Sequence, residues 1–494
     1  ENAEKLYPGM ELSGATLFRL TRDAEVELAQ DDEVDLRERV RAQLRQRRFE
    51  PVVRLEFAPG PDPSLREGLM ARFELDDVDV YEMPGELDYT SLFRIAGLDL
   101  PALRDRRWTP QVPPALRGGP EEIFPAIAAG DLLVHHPYES FDASVERFIS
   151  AAAADPATIS IKMTVYRVGD DTPFVRSLIR AAEAGKQVAC VIELQARFDE
   201  ERNLHWAAEL EKAGAQVLFG VAGLKIHAKT ALVVRKEDGG LRCYAHVGTG
   251  NYNVRTARLY TDLGLLTADP ALTREVVSLF HSLTGRSESP GFERLLVAPR
   301  SMRDPLLRKI ANEAEARRQG RPARIVAKMN QLEDPAMIAA LCEASRAGVP
   351  IDLVVRGFCC LRPGVPGWSE SIRVRSIIGR FLEHSRVFHF AAGSEDPLEG
   401  EFYIGSADWM YRNLSRRVEV ATPVSGRGLR ERLWEVLEVG LRDERQAWVL
   451  DSTGSYSRVE PRSGDADAAL GTHEVFMRRT EERAAPPAGP ASTG

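Results

Sequence analysis

Apolar positions along this chain alternate between a spacing of two and a spacing of three to four, the periods that separate strands from helices. Leu17 to Leu20 reads as a strand, Leu36, Val40 and Leu44 recur at four-residue spacing on a helix, and Val53, Leu55 and Phe57 share one face of the next strand. A helix through Leu65 to Phe73 and a strand near Val78 to Tyr81 complete a small α+β domain over 1–113. The Pro- and Gly-rich run from Trp108 to Pro120 reads as a linker. Beyond Asp131, strand-like runs at Ile159 to Val165, Val188 to Leu194 and Gln216 to Phe219 alternate with helical patterns such as Phe174 to Ala184. Strands alternating with helices predict an α/β layer architecture. The Ala-, Pro- and Gly-rich end, 481–494, reads as a disordered tail.

The α/β region repeats itself. One copy runs from Lys162-Met163 through a helix ending Ala184-Gly185 and a strand reaching Glu193 to Lys225-Ile-His227-Ala-Lys229. The other runs from Lys328-Met329, with Ile325 to Met329 as its strand, through a helix over Ala336 to Ala347 and the strand Ile351 to Val355, to Glu383-His384-Ser-Arg386. Twenty-one residues after each histidine begins a Gly-Ser/Thr-x-Asn/Asp turn, Gly248-Thr249-Gly250-Asn251 and Gly405-Ser406-Ala407-Asp408. Eleven residues beyond each turn stands a carboxylate, Asp262 or Glu419. Such register predicts two duplicated α/β domains, 114–294 and 295–480, related by a pseudo-twofold that brings His227 and His384 to one seam.

At 494 residues, with 44% hydrophobic and 28% charged residues, the chain has the composition of a multidomain globular protein. No apolar run is long enough to span a bilayer. A net charge of −9 argues against a generally basic nucleic-acid binder and leaves local basic clusters as the feature to explain. Five cysteines without CxxC spacing, Cys359 and Cys360 adjacent and read as buried packing, indicate neither a zinc site nor disulfides and fit a reducing cytoplasm. The start at Glu1, without Met or a secretory pattern, reads as a fragment.

Phosphoryl transfer needs exactly placed cations and donors more than covalent chemistry, because its loose transition state spreads charge over the phosphoryl oxygens. Lys229 and Arg386 can supply charge, and the hydroxyls of Thr249 and Ser406, with the amides of their turns, can donate to oxygens. A histidine with a pKa of about 6.5 is largely neutral at pH 7 and can act as nucleophile. Asp262 or Glu419 could hold one ring nitrogen protonated and aim the other at phosphorus, with the pairing open. Arg167, Arg197, Arg356, Arg373 and Arg375 are candidates to gather at the seam, the last two equally readable as a solvated strand face. His135 and His136 read as loop or packing residues, and Asp199 to Glu201 as a solvated charge run.

The two halves resemble the phospholipase-D-like superfamily, whose repeats carry His-x-Lys and Gly-Ser-x-Asn. The longer strings Asp131-LLVHHPYES-Phe141, Lys225-IHA-Lys229, His246-VGTGNY-Asn253 and Ser376-IIGRFLE-His384 resemble bacterial polyphosphate kinases over nearly the whole chain. The resemblance implies two phospholipase-D-like domains behind part of the family's second (head) domain. It implies reversible transfer of the terminal phosphate of ATP to long-chain polyphosphate through a phosphohistidine on His227, assisted by His384. By the same resemblance Tyr260, Arg356 and His384 contact ATP, and Arg167 and Arg197 match magnesium-site positions. Arginine does not ligate Mg²⁺, which takes oxygen ligands, so these two are read as holding the metal-bearing phosphates. ATP, ADP and polyphosphate are the implied partners and Mg²⁺ the implied cofactor. A dimer or tetramer of the full-length form is implied, and peripheral membrane association stays open.

Two other readings compete. A phospholipase-D-like phosphodiesterase is disfavoured because Arg386 stands where that chemistry keeps Lys and Asp408 where it keeps Asn. An inactive polyphosphate- or nucleotide-binding fragment is the third.

Overall fold

The computed structural model describes residues 15–23, 37–38, 49–166, 173–194, 196, 199–221, 223–285, 291–461 and 464–485. The chain divides into two compact units, Glu1–Arg106 and Arg107–Gly494. In the first, strands Phe18–Arg22, Val52–Phe57 and Val80–Glu82 form one sheet, the first pair antiparallel and the second parallel. Leu55 and Phe57 are buried, whereas Val53, expected on the same covered face, is exposed. The helix Pro63–Phe73 starts where Asp62 accepts from the Leu65 amide and Pro63 presets the first turn. Leu36, Val40 and Leu44 lie outside the described residues.

The second unit holds two sheets of the same design. In the first, Gln216–Leu218, Gln187–Ile192 and Thr158–Val165 are parallel neighbours, and Thr230–Glu237, Gly240–Gly248, Tyr260–Thr267 and Leu132–His136 follow antiparallel. In the second, Ile372–Ile377, Ile351–Val355 and Ile325–Met329 are parallel, and Val387–Phe390, Glu401–Gly405, Arg417–Pro423 and Leu296–Ala298 follow antiparallel. The duplication read from the sequence is therefore a duplication of sheet order and strand direction. The expected α/β class, with two duplicated halves behind an α+β region, is the observed one.

Two short strands break the segregation of the halves. Lys225–Ile226 leaves its own half to pair in parallel with Arg417–Pro423, and Leu382–Glu383 does the reverse, pairing with Tyr260–Thr267. One apolar cluster continues across both halves, with Leu263, Val276 and Phe280 beside Val418, Val436, Leu437 and Phe476. Arg432 adds a polar clamp between the halves, its guanidinium donating to the Leu133 carbonyl and lying 2.8 Å from a Glu139 carboxylate oxygen. The two α/β regions thus share one compact unit.

Several expectations need correction. The run from Trp108 to Pro120 is docked on the second unit, with Trp108 Nε1 donating to the Pro137 carbonyl at 2.9 Å and Leu116 buried. An indole and a leucine in that run offer apolar area that a free linker would leave wet. The tail does not begin at 481, because helix Thr472–Ala484 carries buried Val475, Phe476, Met477 and Thr480. Cys360 is exposed and Cys359 half-buried. In the charge run, Glu200 is buried in the first turn of helix Glu200–Lys212. Among the described residues no helix is long and apolar enough to cross a membrane.

Gly405 shows how tightly the second sheet is packed. A Cβ there would fall 2.6 Å from both the Ala421 Cβ and the Val420 carbonyl oxygen. Gly405→Ala is expected to lower stability by about 1–3 kcal/mol, the cost of overpacking a close-packed interior, as read by chemical denaturation. An unchanged denaturation midpoint would contradict this packing.

Candidate active site

The exchanged strands decide what each histidine meets. His227 directly follows Lys225–Ile226, and its amide and that of Ala228 both donate to the Val418 carbonyl at 2.9 Å. Its imidazole is thereby set beside Glu419, whose carboxylate takes Nδ1 at 2.9 Å. His384 follows Leu382–Glu383, its amide donates to the Thr261 carbonyl, and Nδ1 lies 2.8 and 3.0 Å from the two Asp262 oxygens. The pairing left open by the sequence is crossed, each half supplying the carboxylate for the other half's histidine. A carboxylate on Nδ1 fixes the ring's tautomer and leaves Nε2 free for chemistry.

Burial sets the protonation states. It pushes His227 well below the ordinary histidine value, with Lys229, Arg417, Arg386 and His384 acting in the same direction. Burial also lowers His384, although Asp262 works against it. Burial alone would raise Asp262, but His384, Thr249 and Arg386 together hold it below the usual carboxylate value. Burial pushes the Glu419 carboxyl up to about 7 despite Lys229 and Arg417.

Cations surround the pair. Lys229 is buried, its ammonium bonded to the His227 carbonyl and 5.1 Å from the Tyr166 ring centroid. Tyr166 in turn stands edge-on to His227, with ring centroids 5.0 Å apart. Arg386 donates to Asp408 through Nε and Nη2 at 3.2 and 3.0 Å, and to the His384 carbonyl at 2.7 Å. Asp408 thus neutralises the arginine. Tyr260 lies against His384, ring centroids 5.3 Å apart. Arg356, half-buried after Ile351–Val355, is held through its backbone by Met329 and Ser376, while its guanidinium has no hydrogen-bond or ion-pair partner among the described residues.

Other candidates move. The Thr249 and Ser406 hydroxyls do not point at a substrate. Thr249 donates to Asp262 and accepts from the Leu263 amide, while Ser406 donates to Glu419 and accepts from the Val420 amide. The Gly248, Thr249 and Ser406 amides are likewise spent, on Lys229, Leu263 and Val420 carbonyls. A hydroxyl or amide bonded within a buried ladder has no proton left for a ligand. Arg373 pairs with Asp352 at 2.8 Å, and Arg375 donates to the Gly440 and Asp443 carbonyls, so both serve the sheet and its covering helix. His135 and His136 are buried packing residues, as read. Arg167 and Arg197 lie outside the described residues.

Sequence reasoning missed Arg417, which lies beside His227 with its guanidinium 3.8 Å from Glu419. The signal was available, because Arg417 stands two residues before Glu419 as Tyr260 stands two before Asp262. The twofold thus exchanges an arginine for a tyrosine.

For Mg²⁺ the donor set does not fit a cage held by the protein. Asp262, Glu419 and Asp408 are each committed to a histidine or Arg386, and the described residues contain no cluster of three or more His, Cys, Asp or Glu able to hold an ion.

Two crossed His–carboxylate pairs in a cation-lined seam, on a duplicated α/β frame, define a group-transfer enzyme that handles anionic phosphates. Residues 1–95, 122–289 and 295–469 match the family models for the polyphosphate kinase middle domain, C-terminal domain 1 and C-terminal domain 2. The polyphosphate kinase of Thermosynechococcus vestitus is 50% identical over 97% of this chain and 68% of its own length. That of Mycobacterium tuberculosis is 48% identical over 93% of this chain and 62% of its own length. The crystal structure of the Porphyromonas gingivalis polyphosphate kinase superposes with a TM-score of 0.80 at 30% identity, covering 97% of this chain and 69% of that one. This chain belongs to the polyphosphate kinase family and is a phosphotransferase enzyme.

Both histidines are expected to titrate below about 6.5 in histidine-labelled NMR between pH 5 and 8. In Asp262→Asn the His384 value should fall further, because Asp262 is the largest influence raising it. Titration of either ring at or above the ordinary value would contradict the buried environment.

Proposed function

We propose that this chain transfers the terminal phosphate of ATP to Nε2 of His227 and from there to a polyphosphate chain, reversibly. Similarity to the polyphosphate kinases supports the substrates. The observation that carries the step is that Glu419 occupies Nδ1 of a half-buried, neutral His227 while leaving Nε2 open. In the forward step the Nε2 lone pair forms the N–P bond as the bond from phosphorus to the β,γ-bridging oxygen breaks, ADP leaving with those electrons. In the second step a terminal polyphosphate oxygen takes the phosphoryl group and His227 regains its lone pair.

Charge separates the roles of the two histidines. Lys229 and Arg417 outnumber Glu419 around His227, whereas around His384 Arg386 and Arg356 are matched by Asp262 and Asp408. A transferring phosphoryl group is stabilised where positive charge is in excess. His227 is accordingly the acceptor, and His384 the group that meets the phosphates from the other side. Arg356 and Tyr260 stand beside Arg386 and His384, where they can take the nucleotide's phosphates. Arg167 and Arg197 keep their assignment by resemblance, as holders of metal-bearing phosphates. Mg²⁺ enters with ATP, whose phosphate oxygens are the ligands it prefers.

Incubation with γ-labelled ATP and Mg²⁺ should give an acid-labile, alkali-stable label on the protein that is lost in His227→Ala. Label persisting in that variant would sink the reading. The labelling rate should rise with pH through about 7, as the raised Glu419 carboxyl ionises and becomes a full acceptor for Nδ1–H. In Glu419→Gln this rise should vanish and the rate should drop about tenfold or more.

A further inference from the structure

We propose that His473, at the start of the C-terminal helix Thr472–Ala484, is a positioning residue that fixes the backbone at His384 by way of Glu383. This rests on the reading of His384 as a group of the transfer site. His473 is fully buried and its Nε2 lies 2.9 Å from Glu383 Oε1. Its Nδ1 faces two donors, the Phe381 amide at 3.3 Å and Gln446 Nε2 at 3.2 Å. Two N–H groups aimed at Nδ1 require its lone pair, so the ring proton sits on Nε2 and donates to Glu383.

Glu383 is the residue before His384, and its other oxygen is equally committed. Oε2 takes the Lys328 ammonium at 2.7 Å and the Thr261 hydroxyl at 3.0 Å. Lys328 also reaches the residue after His384, donating to Ser385 Oγ at 2.6 Å. His384 is therefore gripped on both sides by a buried network that joins its exchanged strand to both sheets and to the C-terminal helix. Burial would raise Glu383, but Lys328 and His473 hold it well below the usual carboxylate value.

The first half holds its exchanged strand differently, through the Ile226 amide, which donates to the buried Glu193 carboxylate at 2.7 Å. The residue before His227 is Ile226, buried in the shared apolar cluster. Gly379 makes room for the network, since a Cβ there would fall 1.9 Å from Gln446 Nε2 and 2.9 Å from His473 Nδ1. Its Ser376-IIGRFLE-His384 string thus contains the space, the carboxylate and the histidine in order. His473 itself lies beyond residue 469, where the match to the family's last domain model ends.

The test measures kcat and KM for ATP in this chain for His473→Asn, Glu383→Gln, the double variant and Gly379→Ala. Phe476→Leu, which loosens the same helix where it packs on His135 and Tyr138, is the control. Each network variant should lose about tenfold in kcat with KM within about twofold, the scale expected for removing a partner that orients a site residue. The double variant should be no slower than the slower single, because the two act as a unit. Phe476→Leu should keep its kcat at a comparable loss of Tm. Losses that multiply in the double variant, or that match Phe476→Leu at equal Tm, would overturn the proposal. Where a variant does not fold, ¹⁵N NMR of the wild-type chain decides, a His473 protonated on Nδ1 being the contrary result. His384→Ala separates the two readings. Wild-type kcat in that variant would refute His384 as a transfer-site group, whereas lost activity there with kcat kept in His473→Asn and Glu383→Gln would refute this inference alone.

Discussion

The active seam depends on two short strands that cross from one half of the molecule to the other. Each ends at a histidine, and each docks on the strand that carries the opposite half's carboxylate. Backbone pairing does the positioning: Val418 precedes Glu419 and accepts from the His227 amide, while Thr261 precedes Asp262 and accepts from the His384 amide. An imidazole held this way needs no loop ordering to meet its partner. It also means that neither half alone contains a complete His–carboxylate pair, which is a reason for the halves to share a core.

Burying this much charge is unfavourable unless every group is answered. Ion pairs withdrawn from water recover their desolvation only when geometry and further hydrogen bonds are good. The two histidines are answered by chains of partners, Thr249 to Asp262 to His384 on one side and Ser406 to Glu419 to His227 on the other. The twofold is then broken in its charges. Lys229 and Arg417 face Arg386, Asp408 and Tyr260, so two similar frames present unlike fields to a phosphoryl group. Low local dielectric amplifies that difference, since buried charges are poorly screened.

Much of the frame was legible in the chain. The strands Ile325–Met329 and Ile351–Val355 were readable because both faces of these strands are covered, so the runs are apolar almost throughout. The spacing shared by the histidines, turns and carboxylates brought out the repeat, and the structure puts those residues together. The roles of Thr249 and Ser406 were misread for a specific reason. A hydroxyl beside a glycine looks like a phosphate donor, and only the sheet register shows the carboxylate it already serves.

The sequence by itself determined the duplication, the α/β class, the two histidines and the family, because these are carried by order and spacing along one chain. Tertiary structure alone decided the crossing of carboxylates between halves, the meeting of Arg417 with His227, and the reach of His473 to Glu383. Those contacts join residues 192, 122 and 90 positions apart or depend on which of two equivalent strands is adjacent. Periodicity reports which face of an element is buried, but not which element covers it. That choice is made by strand exchange and by the packing of a shared core.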